Sequence, residues 1–371
     1  MSRQVDIFLQ LLSQNCRDSK PANMTDMCQR LGFDVIGHLA LGCDLKMQTE
    51  EKNRVMIRLL TVAKMRVNAF MHFPALQSFD FILKALPSKD AVEFKRIVTE
   101  IIKNRVAEDD RGQHDLYALM ADHIKPGGLY DGILWSEAIF FMTAGGTPPA
   151  ATMSAVFFYL SRYPQCYEKL AREIRTTFAS GRDIQGSAKL SACKYLRACI
   201  DEALRMAPPS LATLWREQAA DDPQRDAGPV IIDGVVIPPG TQVGVNLYAL
   251  HHNEDYFPNP FTFNPDRWLD DTDEKSDTHR AFAPFIIGPR SCAGKAMAYL
   301  EISLVIAKTI WYFEFEKAPG PLGDVGQGKN ETGAGISQPK EYELFDMFNA
   351  NHNGPYLVFK RRTDCPDELE N

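Results

Sequence analysis

Phe285-Ile286-Ile287-Gly288-Pro289-Arg290-Ser291-Cys292-Ala293-Gly294 is the stretch on which the reading of this chain turns. Gly288 and Pro289 supply a turn. The residues that follow are helical, because Met297, Leu300, Leu304, Ala307 and Trp311 recur at helical spacing. Cys292 therefore stands two or three residues before a helix, beside an arginine. A free thiol is mostly protonated at neutral pH, and both a helix N-terminus and a nearby cation favour the anion. The pattern suits a thiolate presented to a metal such as iron. Gly294 has no side chain and lets a flat macrocycle approach the backbone. Phe285 is placed to cover the sulfur, and the planar fork of Arg290 suits carboxylates. Two plainer readings compete. A lone intracellular cysteine is commonly a small buried apolar residue. The run Gly288 to Lys295 also looks like a phosphate loop, but it has one residue too many between its glycines and Ala296 where a magnesium-binding hydroxyl belongs.

Composition narrows the classes. The chain has 371 residues, 45% of them hydrophobic, which is enough for a sizeable core. A net charge of −7 and a pI near 5.7 argue against a nucleic-acid binder. The eight cysteines form no CxxC pair and follow no secretory signal, so a reducing compartment without a disulfide framework is expected. The sequons at Asn23 and Asn330 then carry no meaning. The longest apolar tract, Ile133 to Leu160, is broken by Ser136, Glu137, Gly145, Gly146, Pro148 and Pro149, and reads as a buried helix rather than a membrane span. With neither signal nor anchor at its start, the chain reads as soluble and intracellular.

Helix-period segments dominate the first half: Ile7–Leu12, Met27–Leu41, Val55–Phe70, Ala91–Val106, Ile133–Leu160 and Tyr167–Phe178. After a helix over Tyr195–Met206 the texture changes. Val230 to Ile237 predicts a hairpin around Asp233-Gly234, and Thr241–Val245 a short strand. A Pro/Asn/Asp-rich loop runs from His251 to Asp277, Gly320–Gly335 is a glycine-rich surface excursion, and Asn353-Gly354 predicts a last hairpin. No repeat or linker divides the chain, so one unit over residues 1–371 is expected.

Glu202-Ala-Leu-Arg205 places an acid and a base on one helical face. Alone that spacing means little, since Glu51–Arg54, Glu93–Arg96 and Glu108–Arg111 share it and read as solvated surface pairs. Its order in the chain is what distinguishes it, because Pro265-Asp-Arg267-Trp268 follows and the cysteine loop follows that.

With these three motifs in sequence, the chain resembles the cytochrome P-450 family of haem-thiolate monooxygenases, from about Met24 to Arg362. Phe33-Asp-Val-Ile-Gly37 and Leu196–Arg205 are similar to filamentous-fungal secondary-metabolism members. The resemblance implies a mainly α fold with small β-sheets and haem b bound through Cys292 as axial ligand. It implies that Glu202, Arg205 and Arg267 form a buried ion-pair triad fixing the cysteine loop. It gives Gly288, Gly294 and Phe285 to the haem-binding loop, and Arg290 and Arg216 to the haem propionates. Ala144, Gly145, Ser210, Leu211, Ala212 and Thr213 are implied to line the substrate site. His251 stands where the family often has a histidine. A loop residue with a local hydrogen bond is the preferred reading for it over catalysis. The implied partners are a small apolar substrate and a separate NADPH-cytochrome P-450 reductase, since the chain has no dinucleotide fingerprint of its own. The family sits on the cytosolic face of the endoplasmic reticulum.

Two departures from the family pattern stand out. The family has Ala/Gly-Gly-x-acid-Thr in its long helix, where acid and alcohol manage proton delivery. This chain has Ala144-Gly145-Gly146-Thr147-Pro148-Pro149. Proline inside a helix costs on the order of 3 kcal/mol, whereas the first helical position tolerates it. A broken helix is therefore expected, with Thr147 either capping its second half or taking a shifted proton-delivery role. Second, the family's N-terminal anchor, its first strands and its haem-contacting Trp-x-x-x-Arg helix are not found: no tryptophan precedes Trp135. Membrane contact is then expected only through such missing parts, and Thr241–Val245 is left without its partner strands. Two alternatives to the monooxygenase follow, a reductase-independent isomerase, dehydratase or peroxygenase, and a catalytically silent truncated paralogue.

Overall fold

The computed structural model describes residues 1–79, 89–107, 130–218, 229–269, 277–328, 341–364 and 368–369. The Glu108–Arg111 pair and Asn330 lie outside them. The early helices are α1 (Ser2–Arg17), α2 (Met24–Leu41), α3 (Val55–His72), α4 (Lys89–Ala107), α5 (Tyr130–Leu160), α6 (Pro164–Thr177), α7 (Ala188–Ser191) and α8 (Lys194–Met206). Later come α9 (Leu247–His251), α10 (Asp277–Ala281) and α11 (Lys295–Tyr312). The strands are β1 (Ala22–Asn23), β2 (Val230–Ile232), β3 (Val235–Ile237), β4 (Phe313–Lys317), β5 (Leu344–Phe345), β6 (Asn351–His352) and β7 (Tyr356–Arg361).

Local chemistry sets these boundaries. α2 begins where the Asn23 side chain accepts the Thr25 N–H at 3.1 Å and ends at Gly42, whose φ of 61° no β-carbon-bearing residue adopts easily. α1 buries Val5, Phe8, Leu9 and Leu12, a stripe at helical spacing. β7 is the middle strand of an antiparallel sheet ordered β1-β7-β4, with Phe315 opposite Phe359. The main core gathers α1, α2, α5, α6, α8 and α11 against that sheet. A second core joins α2, α3, α4 and the first half of α5.

Helix α5 corrects one expectation. It runs unbroken through Pro148 and Pro149. Thr147 therefore caps nothing. Each proline withholds an amide donor from the turn before it, yet Ala150 to Leu160 are all at most 2% exposed, buried around the whole circumference. Burial of that many side chains, each contributing about 1.5–3 kcal/mol if large and apolar, outweighs the two lost hydrogen bonds. The helix also lies against α2 at close range. A β-carbon on Gly32 would come within 2.5 Å of the Gly146 carbonyl oxygen.

Two strand expectations also change. Thr241–Val245 is not a strand but a single antiparallel bridge, in which Val243 and Arg216 exchange N–H···O bonds of 2.7 and 2.8 Å. Asn353-Gly354 does not turn a hairpin. β6 pairs with β5, whereas β7 leaves to pair with β1 and β4, because the Gly354 carbonyl is already taken by the Thr25 and Tyr342 hydroxyls. The Asp233-Gly234 hairpin forms as expected. Both turn residues have positive φ, 48° and 77°, and Val230 lies opposite Ile237.

Candidate functional site

The cysteine loop is held by its own backbone. Gly288 takes φ of 86°, Ser291 N–H reaches the Gly288 carbonyl at 2.9 Å, and Cys292 N–H reaches the Phe285 carbonyl at 2.8 Å. Gly294 is the N-cap of α11, so Cys292 stands three residues before the first helical residue, close to the positive end of the helix. Among the described residues Cys292 is the one cysteine that is exposed, the others being buried or half-buried. A β-carbon on Gly294 would sit 3.8 Å from the Cys292 Sγ, so the glycine keeps one side of the sulfur open. The Phe285 ring packs against Tyr299 at a tilt of 46°, 5.1 Å between centroids. What Phe285 contributes here is the carbonyl that holds the cysteine amide, while the thiol side remains open.

The loop rests on a buried charge network. Glu202 and Arg205, both 0% exposed, meet through two bonds of 3.0 and 2.9 Å. Arg267 Nε adds a third donor to Glu202 at 3.1 Å, the Asn264 N–H a fourth at 3.0 Å and the Trp268 indole N–H a fifth at 2.9 Å. Every lone pair of a carboxylate so surrounded is used, which is the condition under which a buried charge is tolerated. The sequence pointed to the two arginines. It left out Trp268, although an indole N–H needs an acceptor when buried and this one lies next to Arg267.

His251 differs from the expectation of a loop residue with a local bond. It closes α9, is fully buried, and its Nε2 accepts the Ala283 N–H at 3.1 Å across 32 positions of sequence. Its carbonyl accepts from Arg205 Nη1 at 2.8 Å. Burial, with Arg205 beside it, pulls its pKa down to about 3, so the ring stays neutral and keeps the lone pair that Ala283 needs. A second brace joins α8 and α11: the Tyr299 hydroxyl donates to Asp201 at 2.6 Å, and the Arg197 guanidinium lies 3.5 Å over the Tyr299 ring. Burial raises the Asp201 carboxyl above its ordinary range. A pocket of about 300 Å³ opens between this brace, Trp268 and Phe285.

The remaining predicted residues are scattered in exposure. Arg290 and Arg216 are exposed, and among the described residues neither guanidinium has a carboxylate partner; Arg216 Nη1 donates to the neighbouring Trp215 carbonyl at 3.0 Å. Leu211 and Ala212 are buried, with Ser210 and Thr213 half-buried. Ala144 is exposed, whereas Gly145 is turned towards Ile36 of α2, whose side chain a β-carbon there would meet at 2.4 Å. Thr147 is 3% exposed. Of the surface pairs, Glu93–Arg96 is solvated, at 2.7 Å, whereas in Glu51–Arg54, at 3.6 Å, the arginine is half-buried and donates to the Met47 and Gln48 carbonyls.

An exposed sulfur donor, an open glycine beside it and two arginines that meet no carboxylate among the described residues fit a flat, iron-centred macrocycle with anionic side arms. Among the described residues no cluster of three or more His, Cys, Asp or Glu side chains could hold a bare metal ion, and no helix is long and apolar enough to cross a membrane.

Comparison with known proteins bears on the same point. The family model described as Cytochrome P450 matches residues 1–344. The cytochrome P450 monooxygenase apf7 of Gibberella fujikuroi is 34% identical over 363 residues, covering 93% of this chain and 66% of that protein. The monooxygenase apf8 of the same fungus is 31% identical, with 97% and 98% covered. The chain thus spans about two thirds of the length of apf7 and nearly all of apf8. The crystal structure of the cytochrome P450DA heme domain superposes with a TM-score of 0.72 over 97% of this chain and 72% of that one. At 18% identity, that likeness speaks to the fold alone.

Proposed function

Because this chain belongs to the cytochrome P450 family, we propose that it is a haem-thiolate monooxygenase acting on an apolar organic substrate of secondary metabolism, with Cys292 as the residue that would hold the haem iron. The observation that carries the proposal is the placement of the one exposed described cysteine at the mouth of α11, on a loop braced by a buried five-donor carboxylate. Haem bound through a thiolate supplies activation of dioxygen and insertion of one oxygen atom into the substrate.

The protein's own part is positioning. The Phe285 carbonyl and the Gly288 turn hold the Cys292 backbone, and Glu202 with its five donors keeps the segments around that loop from shifting. Arg290 and Arg216 would receive the propionates, each offering a planar fork that no protein acid occupies among the described residues. Ala144 and the Ser210–Thr213 segment line the substrate, and Thr147 holds the hydroxyl nearest to the family's proton-delivering position. Electrons come, on this reading, from a separate NADPH-dependent reductase.

One observation favours a second reading. Proline occupies the position where the family's alcohol stands. A haem-thiolate isomerase, dehydratase or peroxygenase does without the acid-alcohol pair. Turnover of the haem-loaded protein with reductase and NADPH, against turnover with a peroxide alone, separates the two. Product with reductase and dioxygen supports the monooxygenase. Product with peroxide only rejects it.

A further inference from the structure

The inward stripe of α3 changes character halfway along. At four-residue spacing it reads Met56, Leu60, Lys64, Asn68 and His72. Met56 and Leu60 are buried in the second core. Lys64 sits one turn further on, only 5% exposed, in a place where the stripe calls for another apolar side chain. Among the described residues no hydrogen-bond or ion-pair partner meets its ammonium.

The polar half of the stripe faces the β5–β6 hairpin. Asn68 Nδ2 donates to the Asp346 carbonyl at 3.1 Å, and His72 Nε2 lies 3.7 Å from the Asp346 carboxylate at the rim. Two polar atoms here are buried without partners, Asn68 Oδ1 and His352 Nε2. The far side of the same hairpin is tied to the predicted substrate segment, since Ala350 N–H donates to the Pro209 carbonyl at 2.8 Å, next to Ser210. Lys64 and the Ser210–Thr213 segment thus flank one hairpin.

We propose that Lys64 is the anchor for a carboxylate carried by the substrate, which makes that substrate an apolar chain with an acidic end. The inference rests on the monooxygenase reading above and names its substrate class. A buried ammonium without an anion is a standing cost to the fold, removed when a carboxylate arrives. One charge is offered, not two. Burial, with Lys64 nearby, pulls His352 down to about 3, so it stays neutral. Lys64 itself is drawn down by burial to about 8 and remains charged at neutral pH. A single positive charge matches a carboxylate better than a phosphate dianion.

The test is equilibrium dialysis of the haem-loaded protein at neutral pH with octanoate, dodecanoate and hexadecanoate, each against its methyl ester. For at least one chain length the acid should bind about tenfold or more tighter than the ester, as expected of a hydrogen bond to a charged group. Lys64→Met should bring the two within about twofold while raising the melting temperature, since it removes an unpaired buried charge. Lys64→Arg should keep the preference for the acid. Equal binding of acid and ester at all three lengths, or an acid preference that survives Lys64→Met, overturns the proposal. Dialysis reads binding without reference to iron ligation, so its failure is distinguishable from a failure of the monooxygenase reading, which the carbon monoxide spectrum tests.

Discussion

His251 Nε2 accepts the Ala283 N–H at 3.1 Å, while the His251 carbonyl accepts from Arg205. One buried histidine therefore links the charge network on α8 to the segment that leads into the cysteine loop. The bond exists only while the ring is neutral. Its folded pKa is depressed to about 3, so its contribution to stability is present above the ordinary histidine value and is lost as pH falls from about 6.5 towards 3. His251→Gln should remove one proton's share of that acid sensitivity, about 1.4 kcal/mol per pH unit across the window, in denaturant melts at a series of pH values. An unchanged slope counts against the assignment.

The carboxylate of Glu202 predicts a non-additive pair. Arg267→Met leaves a buried acceptor short of a partner and should cost about 3–5 kcal/mol in unfolding free energy. Glu202→Gln strands Arg205 and should cost a similar amount. The double variant should lose much less than the sum, because each change removes the same interaction. Simple addition in a denaturation cycle contradicts a shared network.

Glu301 sits fully buried on α11 with neither carboxylate oxygen hydrogen-bonded, and burial raises it to about 8. A carboxyl raised on folding is protonated in the folded chain where the unfolded chain is ionised. Stability then declines as pH rises from about 4.5 to 8. Glu301→Gln keeps the neutral shape, so it should flatten the alkaline side of the stability profile with little change at low pH. A profile identical to the parent's would refute it.

Close helix packing gives a graded pair of substitutions. Gly32→Ala drives a β-carbon to 2.5 Å from the Gly146 carbonyl oxygen, which is backbone and yields little. Gly145→Ala meets the end of the Ile36 side chain at 2.4 Å, which can rotate. The first should cost about 1–3 kcal/mol and the second less. The reverse order in thermal melts would show that α2 and α5 are not held by this contact.

Much of the site was legible because its parts are local. Turn residues before a helix place Cys292, and spacing on one helical face places Glu202 and Arg205. The sequence predicts a break in α5 that the structure lacks for a physical reason: a proline rule describes an isolated helix, and burial of Ala150 to Leu160 on every side overrides it. The single bridge at Val243 and the parting of β6 from β7 depend on partners far along the chain, which periodicity does not record. His251 and Trp268 were missed as braces for the same cause. Each bonds to a residue that only the fold brings near.

The most direct test is the carbon monoxide spectrum of the reduced, haem-loaded protein beside that of Cys292→Ala. Thiolate ligation predicts the long-wavelength Soret band in the parent and its loss in the variant, with haem still retained in part by the arginines. A variant that keeps that band, or a parent that takes up haem without ever showing it, contradicts the account.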